Sequence, residues 1–155
     1  MIMKKTGYIF LIVSLLLVSG CHLNDFKQFT DYYIAFDLSK SSTTTVNEAG
    51  EFAGSYSLHF CTAKREDAVT VTVEVIPGDG LQEGLDYELV TGKSVKFAPG
   101  VYDKVFTIKW LPHTLDRSKD NSLTLRLAEC SDESVTLGVP GPKENFRSIK
   151  INKTK

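Results

Sequence analysis

The sequence predicts an all-β protein, a Greek-key β-sandwich of seven to eight short strands, and three observations carry that expectation. Apolar residues recur at every second position in one segment after another, Gly and Pro turn signals separate the segments, and no stretch after residue 22 shows an apolar repeat of 3.6 residues. The chain has 155 residues, 42% hydrophobic and 24% charged, which is the length and composition of one packed domain.

Taken in order, residues 32–37 put Tyr32, Ile34 and Phe36 on one side, and residues 55–62 do the same with Tyr56, Leu58 and Phe60. Residues 69–75 form the cleanest half-buried strand: Val69, Val71, Val73 and Val75 face in, and Thr70, Thr72 and Glu74 face out. Pro77-Gly78-Asp79-Gly80 then forces a turn. Two short strands follow at 86–90 and 94–97, separated by Thr91-Gly92-Lys93 and closed by Ala98-Pro99-Gly100. In residues 102–111, Phe106, Ile108 and Trp110 share one face, against Val105, Thr107 and Lys109 on the other. Strands at 123–128 and 148–151 complete the set, and any helix is at most a single turn.

The N-terminus has a different character. Lys4 and Lys5 precede an apolar run from residue 9 to residue 18, which as a helix would rise only about 15 Å, half of a bilayer's hydrocarbon thickness. Such a run reads as the apolar region of a cleavable signal peptide, residues 1–20, rather than a mature span. It ends in Leu17-Val18-Ser19-Gly20-Cys21, which resembles the lipobox of bacterial lipoproteins. That resemblance implies that Cys21 is acylated and becomes the first residue of the mature chain. Several acyl chains, each buried CH₂ contributing about 0.8 kcal/mol, would hold the domain to a membrane almost permanently. Residues 21–30 are polar and uneven, which suits a lipidated tether, and leave residues 31–155 as the folded domain. His22, rather than Asp, follows the cysteine, and this favours the outer membrane over inner-membrane retention. Residues 22–25 contain one acid, Asp25, so the periplasmic and cell-surface faces both stay open.

Charge excludes one class of partner. The 18 basic and 19 acidic side chains become 16 and 19 once Lys4 and Lys5 leave with the signal, a net charge of −3. Nucleic-acid binding needs clustered Lys and Arg to displace counterions, and no such cluster exists here.

Cys61 and Cys130 are an even pair in an oxidising compartment, so a disulfide is one reading. Alternation sets both cysteines on the face opposite their strands' apolar residues, and two separate thiols near strand ends is the other reading. His22, His59 and His113 make no metal-ligand spacing with them. His59 and Cys61, two apart in a strand, stand about 7 Å from one another, too far for proton transfer.

The order of motifs resembles the Calx-beta domain: Val46-Asn47-Glu48-Ala49-Gly50, the valine strand, Gly84-Leu85-Asp86-Tyr87, Val95-Lys96-Phe97-Ala98-Pro99-Gly100, Phe106-Thr107-Ile108 and Leu123-Thr124-Leu125-Arg126-Leu127. The Asp-Tyr pair followed by Phe-Ala-Pro-Gly is its most specific part. The likeness spans roughly residues 45–151 and extends to Calx-beta-like lipoproteins of Gram-negative gut bacteria, often associated with glycan uptake. It implies an immunoglobulin-like sandwich that binds or spaces outside the cell rather than catalysing. Calcium-regulated members hold Ca²⁺ at one end through several carboxylates, because the ion takes about six to eight oxygens. Glu48 and Asp86 stand at matching positions. Asp116 and Asp120 occupy the corresponding loop, interleaved with Arg117 and Lys119. Otherwise these acids are solvated turn residues, with Asp86 bonding its own backbone.

A glycan would stack on exposed rings, for which Tyr33, Tyr102 and Trp110 are the candidates, although the parity of Trp110 with Phe106 and Ile108 points to the core. No nucleophile elbow, zinc-protease helix motif or phosphate-binding glycine loop occurs, so an enzyme is not expected. The sequence thus predicts a membrane-anchored binding or spacer module for a glycan or a partner protein. The alternative is an adhesion subunit that associates through a strand edge.

Overall fold

A computed structural model describes residues 31–37, 42–141 and 145–155. The signal peptide, Cys21 and the tether lie outside the described residues. Within them the protein is all-β, without helix, and no helix is long and apolar enough to cross a membrane. Ten strands form: β1 (Tyr33–Phe36), β2 (Thr43–Asn47), β3 (Phe52–Cys61), β4 (Val69–Pro77), β5 (Tyr87–Leu89), β6 (Ser94–Phe97), β7 (Asp103–Trp110), β8 (Ser122–Cys130), β9 (Thr136–Leu137) and β10 (Ser148–Thr154).

They make two five-stranded sheets. The first has the order β5-β7-β3-β1-β9 and the second β2-β10-β8-β4-β6. Alternation fixes which faces meet. Ile34, Phe36, Leu58, Phe60, Phe106, Ile108 and Trp110 come from the first sheet, and Val69, Val71, Val73, Leu123, Leu125, Leu127, Ile149 and Ile151 from the second. All are buried in one apolar cluster. Phe60 on β3 meets Phe97 on β6 edge to face, with centroids 5.4 Å apart, so the two sheets pack through aromatic contact.

The two strands that the alternation does not reveal, β2 and β9, account for the difference between ten and the expected seven or eight. Both pair in parallel with a partner distant in sequence, β2 with β10 and β9 with β1, and neither is amphipathic. Only Val46 of β2 is buried, and β9 has two residues, too few to show a period.

A bulge overturns one expectation. Thr72 pairs with Glu129 but Val73 pairs with Leu127, so Ala128 is an extra residue on β8. One inserted residue inverts the facing of all that follow, which turns Glu129 to solvent and Cys130 toward the core. Cys130 is therefore partly buried against the apolar cluster rather than turned away from it.

Glycine is required at one place in the first sheet. Gly54 faces inward on β3, where a Cβ would stand 2.8 Å from the Tyr56 hydroxyl and 2.9 Å from Trp110 Nε1. These two atoms are hydrogen-bonded, the indole donating at 3.0 Å, so a side chain at 54 would force them apart.

Candidate functional site

Strand direction sorts the polar residues to two ends of the domain. One end carries the starts of β1, β4 and β7 and the last residues of β3 and β8. The opposite end carries the last residues of β2, β4, β7 and β10 and the loops at 48–51, 78–86 and 111–121.

At the second end a lysine is buried. Lys153 shares the inward face of β10 with Ile149 and Ile151, and its side chain has no exposure. Its ammonium donates to Asp86 Oδ1 at 3.0 Å, to the Asp86 carbonyl at 3.3 Å and to the Leu111 carbonyl at 2.8 Å. Three donors thus meet three acceptors, which is what makes burial of this charge tolerable. Asp86, 1% exposed, also accepts from the Gln82 amide through Oδ2 at 2.9 Å, and His113 Nδ1 lies 3.0 Å from its Oδ1. Burial pushes the Asp86 carboxyl up, but the Gln82 amide, Lys153 and His113 together outweigh it and hold the group below the usual aspartate range.

Glu48 ties the neighbouring loop to this network. Its carbonyl accepts from the His113 amide at 3.1 Å, its Oε2 accepts from the Leu115 amide at 3.2 Å, and its own amide donates to Thr154. The fold therefore brings Glu48 and Asp86 to one end together with Asp116 and Asp120, without joining them into a single site. Asp116 Oδ1 is occupied by the Ser118 amide and hydroxyl, while the Asp120 carboxylate lies 3.9 Å from Lys150. Among the described residues no group of three or more His, Cys, Asp or Glu side chains could hold a metal ion. The cationic position beside Asp86 is filled by Lys153.

The three candidate aromatics separate. Tyr33 and Tyr102 flank the last residues of β3 at the first end: Tyr33 pairs with Cys61 in register and is hydrogen-bonded to its thiol, and the Tyr102 carbonyl accepts from the Phe60 amide. Tyr102 is 38% exposed and Tyr33 half-buried. Trp110, at the other end of β7, is fully buried and belongs to the core. Tyr56, its partner, has its hydroxyl pKa pushed up to about 12 by burial, against the lowering effect of the indole bond. It stays neutral at any physiological pH.

Both thiols are free. Burial raises the Cys130 pKa and so suppresses thiolate chemistry there. His59 engages Asp103 through Nδ1, with Asp37 3.9 Å from Nε2. At the same end Arg65 pairs with Asp132, and its guanidinium sits 6.0 Å from the centre of the Phe60 ring.

A cavity of about 340 Å³ opens between the sheets where β1 ends. Phe36, Tyr56 and Ile149 line it with apolar surface, and Asp37, Thr43, Thr44, Ser55 and Ser57 supply polar groups. That volume is in the range of small ligand sites.

Lys153 and His113 are the members of the charged network that sequence reasoning missed as such. The period of two running through Ile149 and Ile151 points to residue 153, but a lysine at that position reads as the end of a buried face. Compared with protein-family models the chain matches none, and no curated protein matches it.

Proposed function

We propose that the protein is a membrane-anchored, non-catalytic binding or spacer module held by lipid on Cys21 at the outer membrane. Its domain is read as a Calx-beta-like, immunoglobulin-like Greek-key sandwich. The strand orders support the fold reading in their central part: β7-β3-β1 follows E-B-A of an immunoglobulin domain and β10-β8-β4 follows G-F-C, while the short β5 and β6 between β4 and β7 join the two sheets in the reverse of the C′-then-D order. The parallel pairing of β2 with β10 fits a first strand shared between the two sheets.

One observation carries the functional reading. A chain arriving from an N-terminal anchor reaches β1 at the end where Tyr33 pairs with Cys61, and the loops at 48–51, 78–86 and 111–121 lie at the opposite end. Those loops are cross-tied by Glu48, Asp86, His113 and Lys153. A domain whose first strand begins at one end and whose braced loop surface lies at the other suits presentation or spacing, whether the ligand is a glycan or a partner protein.

Mass spectrometry of the membrane-extracted protein tests the anchor: a diacylglyceryl mass on an N-terminal Cys21 is expected, with release from the membrane fraction in Cys21→Ser. An uncut N-terminus, or unchanged fractionation of the variant, overturns it. For a glycan ligand, Tyr102→Ala is expected to abolish binding on a polysaccharide array. The strand-edge alternative draws support from the first sheet, where β3 extends six residues beyond its pairing with β1.

A further inference from the structure

The geometry points to an open groove on the outer face of the second sheet, between β4 and β8, as a binding site for a neutral glycan segment recognised through neighbouring hydroxyls. This rests on the glycan form of the binding reading and adds to it a site apart from Tyr102.

A bulge makes the groove. β4 turns Thr72 and Glu74 outward with one residue between them, whereas the residues opposite on β8, Glu129 and Arg126, have two between them because Ala128 is inserted. The outward side chains of the two strands are therefore spaced differently, and the depression this leaves is lined by Ala128, which has only a methyl group to fill it. Lys93 closes the other side. The Val73 amide donates to its carbonyl at 2.7 Å, which holds it against β4 just beyond the last pairing with β6. The volume is about 610 Å³, within the range of ligand sites. The chain that borders it, β4, β6, β8 and residues 90–93, belongs entirely to the described residues.

Within the groove one ion pair is set for hydroxyls. Arg126 places two donors on a single oxygen of Glu74, Nε at 2.8 Å and Nη2 at 2.6 Å from Oε2. Glu74 Oε1 is left as an acceptor and Arg126 Nη1 as a donor, neither with a partner among the described residues. A vicinal diol answers both, since one hydroxyl donates to the carboxylate while its neighbour accepts from the guanidinium. Charge selects against ions. Glu74 and Glu129 are matched by Arg126 and Lys93 in the lining, so neither an anion nor a cation meets a net field. Thr72 adds a further hydroxyl to the wall. Both β4 and β8 are interior strands of their sheet, which leaves side chains rather than a free backbone edge to do the recognition.

The test uses the full chain in a detergent without a sugar headgroup, titrated with trisaccharides of glucose, of mannose and of galactose and followed by amide chemical shifts. At least one of the three is expected to perturb Thr72, Glu74, Arg126 and Ala128 with half-saturation near about 1 mM, and its fully O-methylated form to perturb none of them. Glu74→Ala removes the acceptor and Ala128→Phe fills the groove; each is expected to weaken binding at least tenfold. The Glu74–Arg126 pair is about half exposed, so Glu74→Ala is expected to leave the unfolding midpoint nearly unchanged and to report binding rather than folding. Absence of shifts at these residues with all three sugars up to about 20 mM overturns the proposal. So does equal affinity for the methylated sugar, unchanged affinity in Glu74→Ala, or tighter binding of a trisaccharide of uronic acid than of any neutral one. Shifts confined to the surroundings of Tyr102 would overturn the groove and leave the glycan reading standing, so the two fail separately.

Discussion

Each end of the domain is held by an ion pair, but the two pairs sit in different surroundings. Lys153 and Asp86 are removed from water and fully hydrogen-bonded, whereas Arg65 and Asp132 keep about a quarter of their side-chain surface exposed. In the first case the charges have nowhere to go if one is lost; in the second, water takes the place of the missing partner. The same chemistry is thus an obligatory clasp at one end and an ordinary surface contact at the other.

The largest test of that contrast is Lys153→Met. It leaves Asp86 buried beside an apolar side chain and is expected to cost about 3–5 kcal/mol in urea unfolding. The double variant Asp86→Asn/Lys153→Met is expected to recover much of that loss, and an additive double variant would show that the pair is not a unit. Acid probes the clasp from the other side. The Asp86 carboxyl is depressed in the folded state, so its contribution is fully present above the unfolded value, about 4, and is lost as pH falls through the lower folded value. The melting temperature is expected to drop steeply below about pH 4, and much less so in the double variant.

Next comes Tyr56→Phe, which strands the buried Trp110 indole donor without a partner at an expected cost of about 1–3 kcal/mol. Smaller still, Arg65→Ala at the exposed pair is expected to cost about 1 kcal/mol or less. A loss as large as that of Lys153→Met would erase the difference between the ends. Calcium is expected to do least: with Lys153 beside Asp86 and no converging acids among the described residues, millimolar Ca²⁺ leaves the melting temperature unchanged. An upward shift would show that Glu48, Asp86, Asp116 and Asp120 do meet around an ion.

The comparison also explains what the sequence could and could not disclose. Val69, Val71 and Val73, and likewise Phe106, Ile108 and Trp110, announce their strands because burial on one face writes a period of two into the residues. Thr43 to Asn47 writes no such period, since one buried valine suffices for an edge strand whose hold on the sheet is its parallel pairing with β10. Cys130 was misplaced because a bulge has no signature in side-chain type: Ala128 looks like any other outward residue. The four acids were legible as residues of one end, but their partners were not. That a carboxylate at 86 answers to an ammonium at 153 is a fact of topology, joining residues 67 apart across both sheets.

The position of β10 bears on how the domain comes apart. It lies between β2 and β8 and carries the clasping ammonium on its inward face. Local opening of this one strand would split the second sheet and strip Asp86 of its counter-charge at the same time, so β10 is the strand whose release turns a folded domain into a substrate for proteases.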